Sequence, residues 1–261
     1  MDRLQLDKNA KLTGRVYFKD EVMWLGLSGS GASFTFDGTK LVLKLKGDNI
    51  AVGENPIDYA RIAVYVDGKR VVDEMIDCAE KEVTVIDHTE NAQSVVEIIK
   101  LSESPMSAVG VEAFTEGSAE ALPEKPLKIE FIGDSITCGY GVDDEDENHQ
   151  FTTATEDVTK AYAYKTAKAL DAEYSMFSAS GYGIVSGYTE GDEPISEQTI
   201  PQFYCSYGFS RGNFAGTAPQ DIPWDFSKYI PQIIVINLGT NDDSYCRDYE
   251  DKPVSYTHLR A

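Results

Sequence analysis

Three short loops of this sequence hold residues whose types suit acyl transfer. They read GDSIT around Ser135, SGYG around Gly181 and GTND around Asn241. A serine hydroxyl is a weak nucleophile at neutral pH, so it needs a base to take its proton and donors to stabilise an oxyanion. The backbone amides of Ser135 and Gly181 and the side-chain amide of Asn241 would supply those donors. The three loops therefore predict a serine esterase site.

Each loop follows a short apolar run that is typical of a buried strand. The runs cover residues 128–132, 174–177 and 233–236. Loops at the carboxyl ends of parallel strands meet in one crevice. We therefore expect Ser135, Gly181 and Asn241 to lie close together although they are far apart in sequence.

Simpler interpretations exist for the same residues. Ser135 would serve equally as the cap of a following helix, and Asn241 as a turn or cap residue. Gly181 would serve as a turn glycine, and Gly183 is an alternative donor in the same loop. The three loops occurring together favour the catalytic interpretation over these.

The N-terminal half has the pattern of an antiparallel sheet. Short alternating strands are joined by Asp-Gly pairs at 37–38 and 67–68, which are typical of hairpin turns. Repeated at this spacing, they predict a β-sandwich or jelly roll over residues 1–115. The small, polar, proline-containing segment 116–127 is the predicted linker.

The remaining residues, 128–261, alternate between strand and helix patterns, which predicts a parallel α/β architecture. A helix is expected over about 157–171, because Ala163, Ala167 and Leu170 recur at helical spacing. Residues 185–229 are rich in glycine, proline and aromatic residues, so irregular loops are expected there. Trp224 in this region is expected either to pack in the core or to stack on a sugar.

The three loops resemble sequence blocks of the GDSL, or SGNH, hydrolases, in the same order and each after a strand. The resemblance covers about residues 128–242 and implies Ser135 as nucleophile, with Gly181 and Asn241 in the oxyanion hole. It also implies a flavodoxin-like α/β/α fold. A jelly roll followed by this domain is similar to carbohydrate esterase family 2, whose members remove O-acetyl groups from xylan and related sugars.

The family's catalytic histidine has no match among these residues. It normally belongs to an Asp-x-x-His block well beyond the third loop, and we expect the chain to lack that C-terminal part. The last residues, 255–261, do not resemble that block, because Ser255 stands where the motif has aspartate, so His258 is a poor substitute base. His88 is expected on the surface, and His149 in a solvated acidic loop.

The resemblance implies an acetylated carbohydrate substrate, with Trp224 as a contact, and neither metal nor organic cofactor. Two alternatives stay open. One is a fragment that binds carbohydrate without catalysis. The other is a lipase or thioesterase of the SGNH type.

Composition narrows the class of partner. A net charge of −21 and a pI near 4.4 argue against nucleic acid and against an anionic membrane surface. The N-terminus lacks a signal-peptide pattern, so a cytoplasmic location is expected. The four cysteines are widely spaced and form no zinc-binding pattern.

Overall fold

The fold described here is a computed structural model, which describes residues 1–54 and 56–246. It contains a large antiparallel sheet in the N-terminal half and a small parallel sheet in the second half. This arrangement confirms the predicted fold class, a jelly-roll sandwich followed by an SGNH-type α/β region.

The described residues of the N-terminal half form nine strands and one short helix: β1 (Asp2–Leu4), α1 (Leu6–Asn9), β2 (Lys11–Thr13), β3 (Val16–Lys19), β4 (Val22–Leu25), β5 (Gly31–Gly47), β6 (Ala60–Val66), β7 (Lys69–Ile76), β8 (Glu80–Lys100) and β9 (Val109–Ala121). The strands form one sheet with the order β3-β4-β9-β5-β8-β6-β7, in which β1 also pairs with β9 and β2 with β5.

The prediction of a hairpin turn at residues 37–38 is wrong. Asp37 and Gly38 lie inside the long strand β5, where the pairing register shifts between Gly38 and Lys40. A Cβ at Gly38 would overlap Gly117 of β9, so glycine permits a close approach of two backbones there rather than a turn.

The same irregularity changes which side of β5 faces the core. The fully buried side chains are Phe34 and Phe36 before it, but Leu41, Leu43 and Leu45 after it. Alternation along a strand has a period of two, so an extra residue moves the inward face from even to odd positions. One strand can thereby line a single core along its whole length.

The second Asp-Gly pair is a turn, as expected. Asp67 and Gly68 both have positive φ, at 51° and 77°, between β6 and β7. That geometry belongs to the two-residue hairpin turn whose twist matches the flanking strands.

Strand β9 continues to Ala121, well into the segment predicted as a linker. The backbone between β9 and the next strand is therefore only residues 122–127. The division into domains at 115 and 128 stays a prediction.

The second half carries the parallel sheet and short helices around it. Its elements are β10 (Lys128–Gly133), α2 (Ser135–Cys138), α3 (Tyr162–Ala169), β11 (Glu173–Ser178), α4 (Ile200–Phe203), β12 (Ile233–Asn237) and α5 (Thr240–Cys246), with 3-10 turns at Thr153–Thr155, Val158–Lys160, Pro219–Asp221 and Phe226–Lys228. The order of these strands in the sheet is β11-β10-β12.

Helix α3 is shorter than the sequence pattern predicts. Ala163 and Ala167 are fully buried, as expected, but Leu170 lies just beyond the helix and is 53% exposed. The segment before the helix forms a separate 3-10 turn at Val158–Lys160. Residues 185–229, apart from α4 and two short 3-10 turns, are irregular, as the sequence predicts.

The two halves share a core. Ala63, Ile99 and Leu101 of the N-terminal half pack in one apolar cluster with Ile129 and Phe131 of β10. In the part of the chain that the structure describes, no helix has both the length and the apolar character to cross a membrane. The cysteines form no disulfide within these residues.

Candidate active site

Strand register places the three loops at one edge of the parallel sheet. Gly133, the last residue of β10, pairs with Ser178 on one side and with Asn237 on the other. Adjacent strands lie about 4.8 Å apart. The chain therefore leaves the sheet toward Ser135, Gly181 and Asn241 from three neighbouring positions, with the serine strand in the middle.

Ser135 begins helix α2 and is half-buried. The cap of this helix is Asp134, whose carboxylate accepts a hydrogen bond from the amide of Ile136 at 3.1 Å, so Ser135 is not itself the cap. A Cβ at Gly133 would overlap the side chain of Thr137, so this sharp strand-to-helix turn requires glycine. The local sequence thus holds Ser135 at the tip of the turn.

Asn241 is buried, and its side-chain Nδ2 donates a hydrogen bond to the carbonyl oxygen of Tyr182 at 2.8 Å. An amide group has two N–H donors, so this bond orients the side chain and leaves a second donor for an oxyanion. The third loop is thereby fastened to the residue that follows Gly181.

Asp242 joins the same two loops more extensively. Its buried carboxylate accepts hydrogen bonds from the successive amides of Ile184 (3.0 Å), Val185 (2.6 Å) and Ser186 (3.1 Å). Hydrogen bonds to a charged acceptor are stronger than neutral ones. Sequence analysis did not single out this role of Asp242, although its place directly after Asn241 was visible.

The two glycines of the second loop differ in their surroundings. Gly181 has φ of 79° and open space where a Cβ would be, so its backbone conformation alone favours glycine. A Cβ at Gly183 would overlap the Ser186 carbonyl and the Asp242 carboxylate. Moreover, the amide of Gly183 donates to the carbonyl of Gln198 at 3.2 Å. That amide is engaged within the fold, which favours Gly181 as the oxyanion donor.

Burial affects the acids near this edge. It raises the pKa of Asp134, and the charge of Asp242 raises it further. Asp134 is 1% exposed, and its Oδ2 has no hydrogen-bond partner within the described residues.

Trp224 packs against another group. Its ring lies 5.2 Å from the guanidinium carbon of Arg15, which is fully buried and also lies 4.4 Å from the ring of Phe177. Arg15 pairs with Glu130 of β10 at 3.4 Å. These contacts favour the packing interpretation of Trp224, and its contact with substrate stays a prediction.

The histidines of the described residues lie away from the three loops in sequence. His88 is exposed in β8, and His149 is exposed with its Nδ1 2.8 Å from Asp144. His258 lies outside the described residues.

One buried group of side chains brings potential metal ligands together. Within the described residues, ligand atoms of Glu103, Cys138 and Glu156 lie within 4.8 Å of one another. Burial raises the pKa of the Cys138 thiol well above its usual value, which disfavours the thiolate that a metal requires. Lys100 is also fully buried there and supplies positive charge, so the donor set does not suit a divalent cation.

Comparison with known proteins extends these observations over most of the chain. A family described as "Carbohydrate esterase 2 N-terminal" matches residues 12–126. A cellulase/esterase, CelE, from Acetivibrio thermocellus is 33% identical over 220 residues, which are 83% of this chain and 24% of that protein. An acetylxylan esterase / glucomannan deacetylase from Cellvibrio japonicus is 29% identical over 245 residues, 91% of this chain and 62% of that protein.

A solved structure is similar in fold as well as sequence. A family two carbohydrate esterase from Clostridium thermocellum, in complex with cellohexaose, matches with a TM-score of 0.73 and 29% identity. The match covers 90% of this chain and 67% of that one. The chain thus spans about a quarter and about three fifths of the lengths of the two curated relatives above.

Proposed function

Because this chain belongs to carbohydrate esterase family 2, we propose that it removes O-acetyl groups from a carbohydrate such as xylan. The observation that carries the proposal is the alignment of Gly133 with Ser178 and Asn237, from which the three loops leave the sheet together. The neutral substrate is compatible with the net charge of −21.

In the proposed reaction, the Oγ of Ser135 attacks the acetyl carbonyl carbon while a base takes its proton. The amides of Ser135, Gly181 and the Asn241 side chain stabilise the negative charge that develops on the carbonyl oxygen. The sugar hydroxyl then leaves with a proton, and an acetyl-serine forms. Water attacks this ester, releases acetate and restores the serine hydroxyl.

The test is release of acetate from acetylated xylan and from p-nitrophenyl acetate. We expect Ser135→Ala to reduce acetate release to the uncatalysed background, with or without added imidazole. Ser118→Ala, an exposed serine of β9, is the matched control and should retain the wild-type rate. Full activity in Ser135→Ala would refute the nucleophile assignment.

That no histidine of this chain serves as the base stays a prediction, and added imidazole tests it. If no histidine reaches Ser135, imidazole should accelerate hydrolysis by the wild-type chain but not by Ser135→Ala. An unchanged wild-type rate in imidazole would mean that a base is already in place. Calorimetry with xylo-oligosaccharides tests the alternative of binding without turnover.

An apolar groove beside the loops supports a second candidate, an esterase for longer acyl chains. Its lining includes Ile132, Ile184, Ile200 and Leu238, of which Ile132 and Leu238 directly precede Gly133 and Gly239. A series of p-nitrophenyl esters separates the two candidates. Strict preference for acetate excludes the longer-chain esterase.

A cytoplasmic location, expected from the N-terminal sequence, stays a prediction.

A further inference from the structure

Three ionisable side chains lie fully buried next to the second loop. They are Lys100, Glu103 and Glu156, each 0% exposed. Lys100 ends β8, and Glu103 belongs to the segment that leads from β8 to β9. The antiparallel half therefore contributes charge to the interior of the region around Ser135. Charged groups are rarely buried unless they are paired, so this placement calls for an explanation.

Glu103 contacts the backbone of the oxyanion loop directly. Its Oε2 accepts a hydrogen bond from the amide of Ser180 at 2.6 Å. Ser180 immediately precedes Gly181, so only the backbone dihedrals of Ser180 separate this bond from the Gly181 amide. Fixing the Ser180 amide therefore limits where the Gly181 amide can point.

Glu103 is itself held from two sides. Its amide donates to Oε2 of Glu156 at 3.0 Å, and its carbonyl oxygen accepts from Nζ of Lys100 at 3.0 Å. Cys138, the last residue of α2, places its Sγ 4.0 Å from Oε2 of Glu103 and 3.2 Å from Oγ of Ser178. The carboxylate thus lies between the helix that begins at Ser135 and the loop that carries Gly181.

The two buried glutamates also influence each other's titration. Burial raises the pKa of both, and the charge of Glu103 raises that of Glu156 further. At Glu103, the hydrogen bond from the Ser180 amide and the charge of Lys100 oppose this rise. The contact with the Ser180 amide therefore favours the ionised form of Glu103.

From these contacts, and resting on the proposed function, we propose that Glu103 is a positioning residue of the esterase. Its carboxylate holds the Ser180–Gly181 loop in register with Ser135, while Glu156 and Lys100 hold Glu103 in place. The sandwich half thereby acts on the rate of the reaction without touching the substrate.

The test compares Glu103→Ala and Glu103→Gln with a matched control, Glu112→Ala. Glu112 is another buried glutamate, 7% exposed, but it pairs with Arg3 and Lys46 in the N-terminal sheet. Two measurements are made on each full chain. One is the amide chemical shifts of Ser180 and Gly181 by NMR, which require no catalysis, and the other is kcat and KM for acetyl ester hydrolysis.

We expect the Ser180 amide proton to move upfield in Glu103→Ala, and the Gly181 amide to shift with it. We expect kcat to fall about 10- to 100-fold with little change in KM, because the donor is misplaced for the transition state. Glu103→Gln keeps an acceptor oxygen, so it should recover most of the rate and show a smaller shift. Glu112→Ala should change neither measurement at the loop.

Three results would overturn the proposal. They are unchanged Ser180 and Gly181 amides in Glu103→Ala, an equal loss of kcat in Glu112→Ala, and a tightly bound metal in wild type that Glu103→Ala releases. If Glu103→Ala does not fold, Glu103→Gln still decides through the Ser180 shift. If the wild type stayed inactive even with added imidazole while Glu103→Ala shifted the Ser180 amide, the esterase function alone would be rejected. If the wild type were active and Glu103→Ala left the Ser180 amide unchanged, the positioning role alone would be rejected.

Discussion

The side-chain amide of Asn241 donates a hydrogen bond to the carbonyl oxygen of Tyr182, 2.8 Å away. Tyr182 lies in the loop after β11, and Asn241 lies in the first turn of α5, which follows β12; β11 and β12 are the two outer strands of the parallel sheet. The bond spans the edge of the sheet above the central strand β10, which leads to Ser135. It therefore sets the distance between two proposed oxyanion donors, the side-chain amide of Asn241 and the backbone amide of Gly181.

Replacing Asn241 by alanine should impair catalysis more than binding. The change removes one oxyanion donor, so we expect kcat to fall about 10²- to 10³-fold with KM nearly constant. Steady-state kinetics on p-nitrophenyl acetate measures this. Asn91→Ala, an exposed asparagine of β8, is the control and should be as active as wild type. If Asn241→Ala kept the wild-type kcat, Asn241 would not be a donor of the oxyanion hole.

Asp242→Asn should destabilise the fold because the carboxylate accepts from three successive amides. An asparagine directs an N–H group at one of these donors, so we expect the free energy of unfolding to fall by about 2 kcal/mol. Urea denaturation measures it. Asp243→Asn changes the net charge equally at an exposed neighbour and should stay within about 0.5 kcal/mol of wild type. Equal stabilities of the two variants would contradict the structural role of Asp242.

Alanine at the two loop glycines should have unequal effects on stability. Gly183→Ala introduces a Cβ that overlaps the Ser186 carbonyl and the Asp242 carboxylate, so a loss of about 1–3 kcal/mol is expected. Gly181→Ala meets no atoms, and only its positive φ opposes it, at about 1 kcal/mol. Thermal melts rank the two. A larger loss at Gly181 would mean that its surroundings are more crowded than the geometry indicates.

Glu156 should make stability fall as pH rises. Burial raises its pKa in the folded chain well above the usual value of 4.5. Between those two pKa values the folded state binds more protons than the unfolded state, so the free energy of unfolding decreases with increasing pH. Glu156→Gln does not titrate, so its stability relative to wild type should increase as pH rises from about 5.

Denaturation at several pH values checks the Glu156 prediction. The series should end near pH 8, because burial lowers the pKa of Lys100 to about 8. Above that pH the unfolded state binds more protons at this lysine, which adds a slope of opposite sign. A constant difference between Glu156→Gln and wild type below pH 8 would show that Glu156 titrates normally in the folded chain.

The parallel sheet and its loops were predictable because their signals are local. Each apolar run, and the loop after it, is a continuous stretch of sequence, and parallel strands bring their carboxyl ends together by topology alone. The turn at Asp67 and Gly68 was predictable for the same reason, since two residues of suitable backbone preference define it.

The roles of Gly38 and Glu103 were not predictable, because both depend on residues distant in sequence. Gly38 is needed where β5 meets Gly117 of β9, and an Asp-Gly pair has the same local sequence in a turn or in such a crossing. Glu103 lies 77 positions from Ser180, and neither residue carries a pattern that points to the other.

Arg15 has a consequence for dissecting this protein. It comes from the start of the chain, is fully buried, and donates to the carbonyl oxygens of Tyr204 and Ser206 while pairing with Glu130. Separating the sandwich from the parallel sheet would leave the guanidinium of Arg15 on one piece and the carboxylate of Glu130 on the other. Each piece would expose to water a surface that is buried in the whole chain, so neither piece alone is suitable for measuring sugar binding.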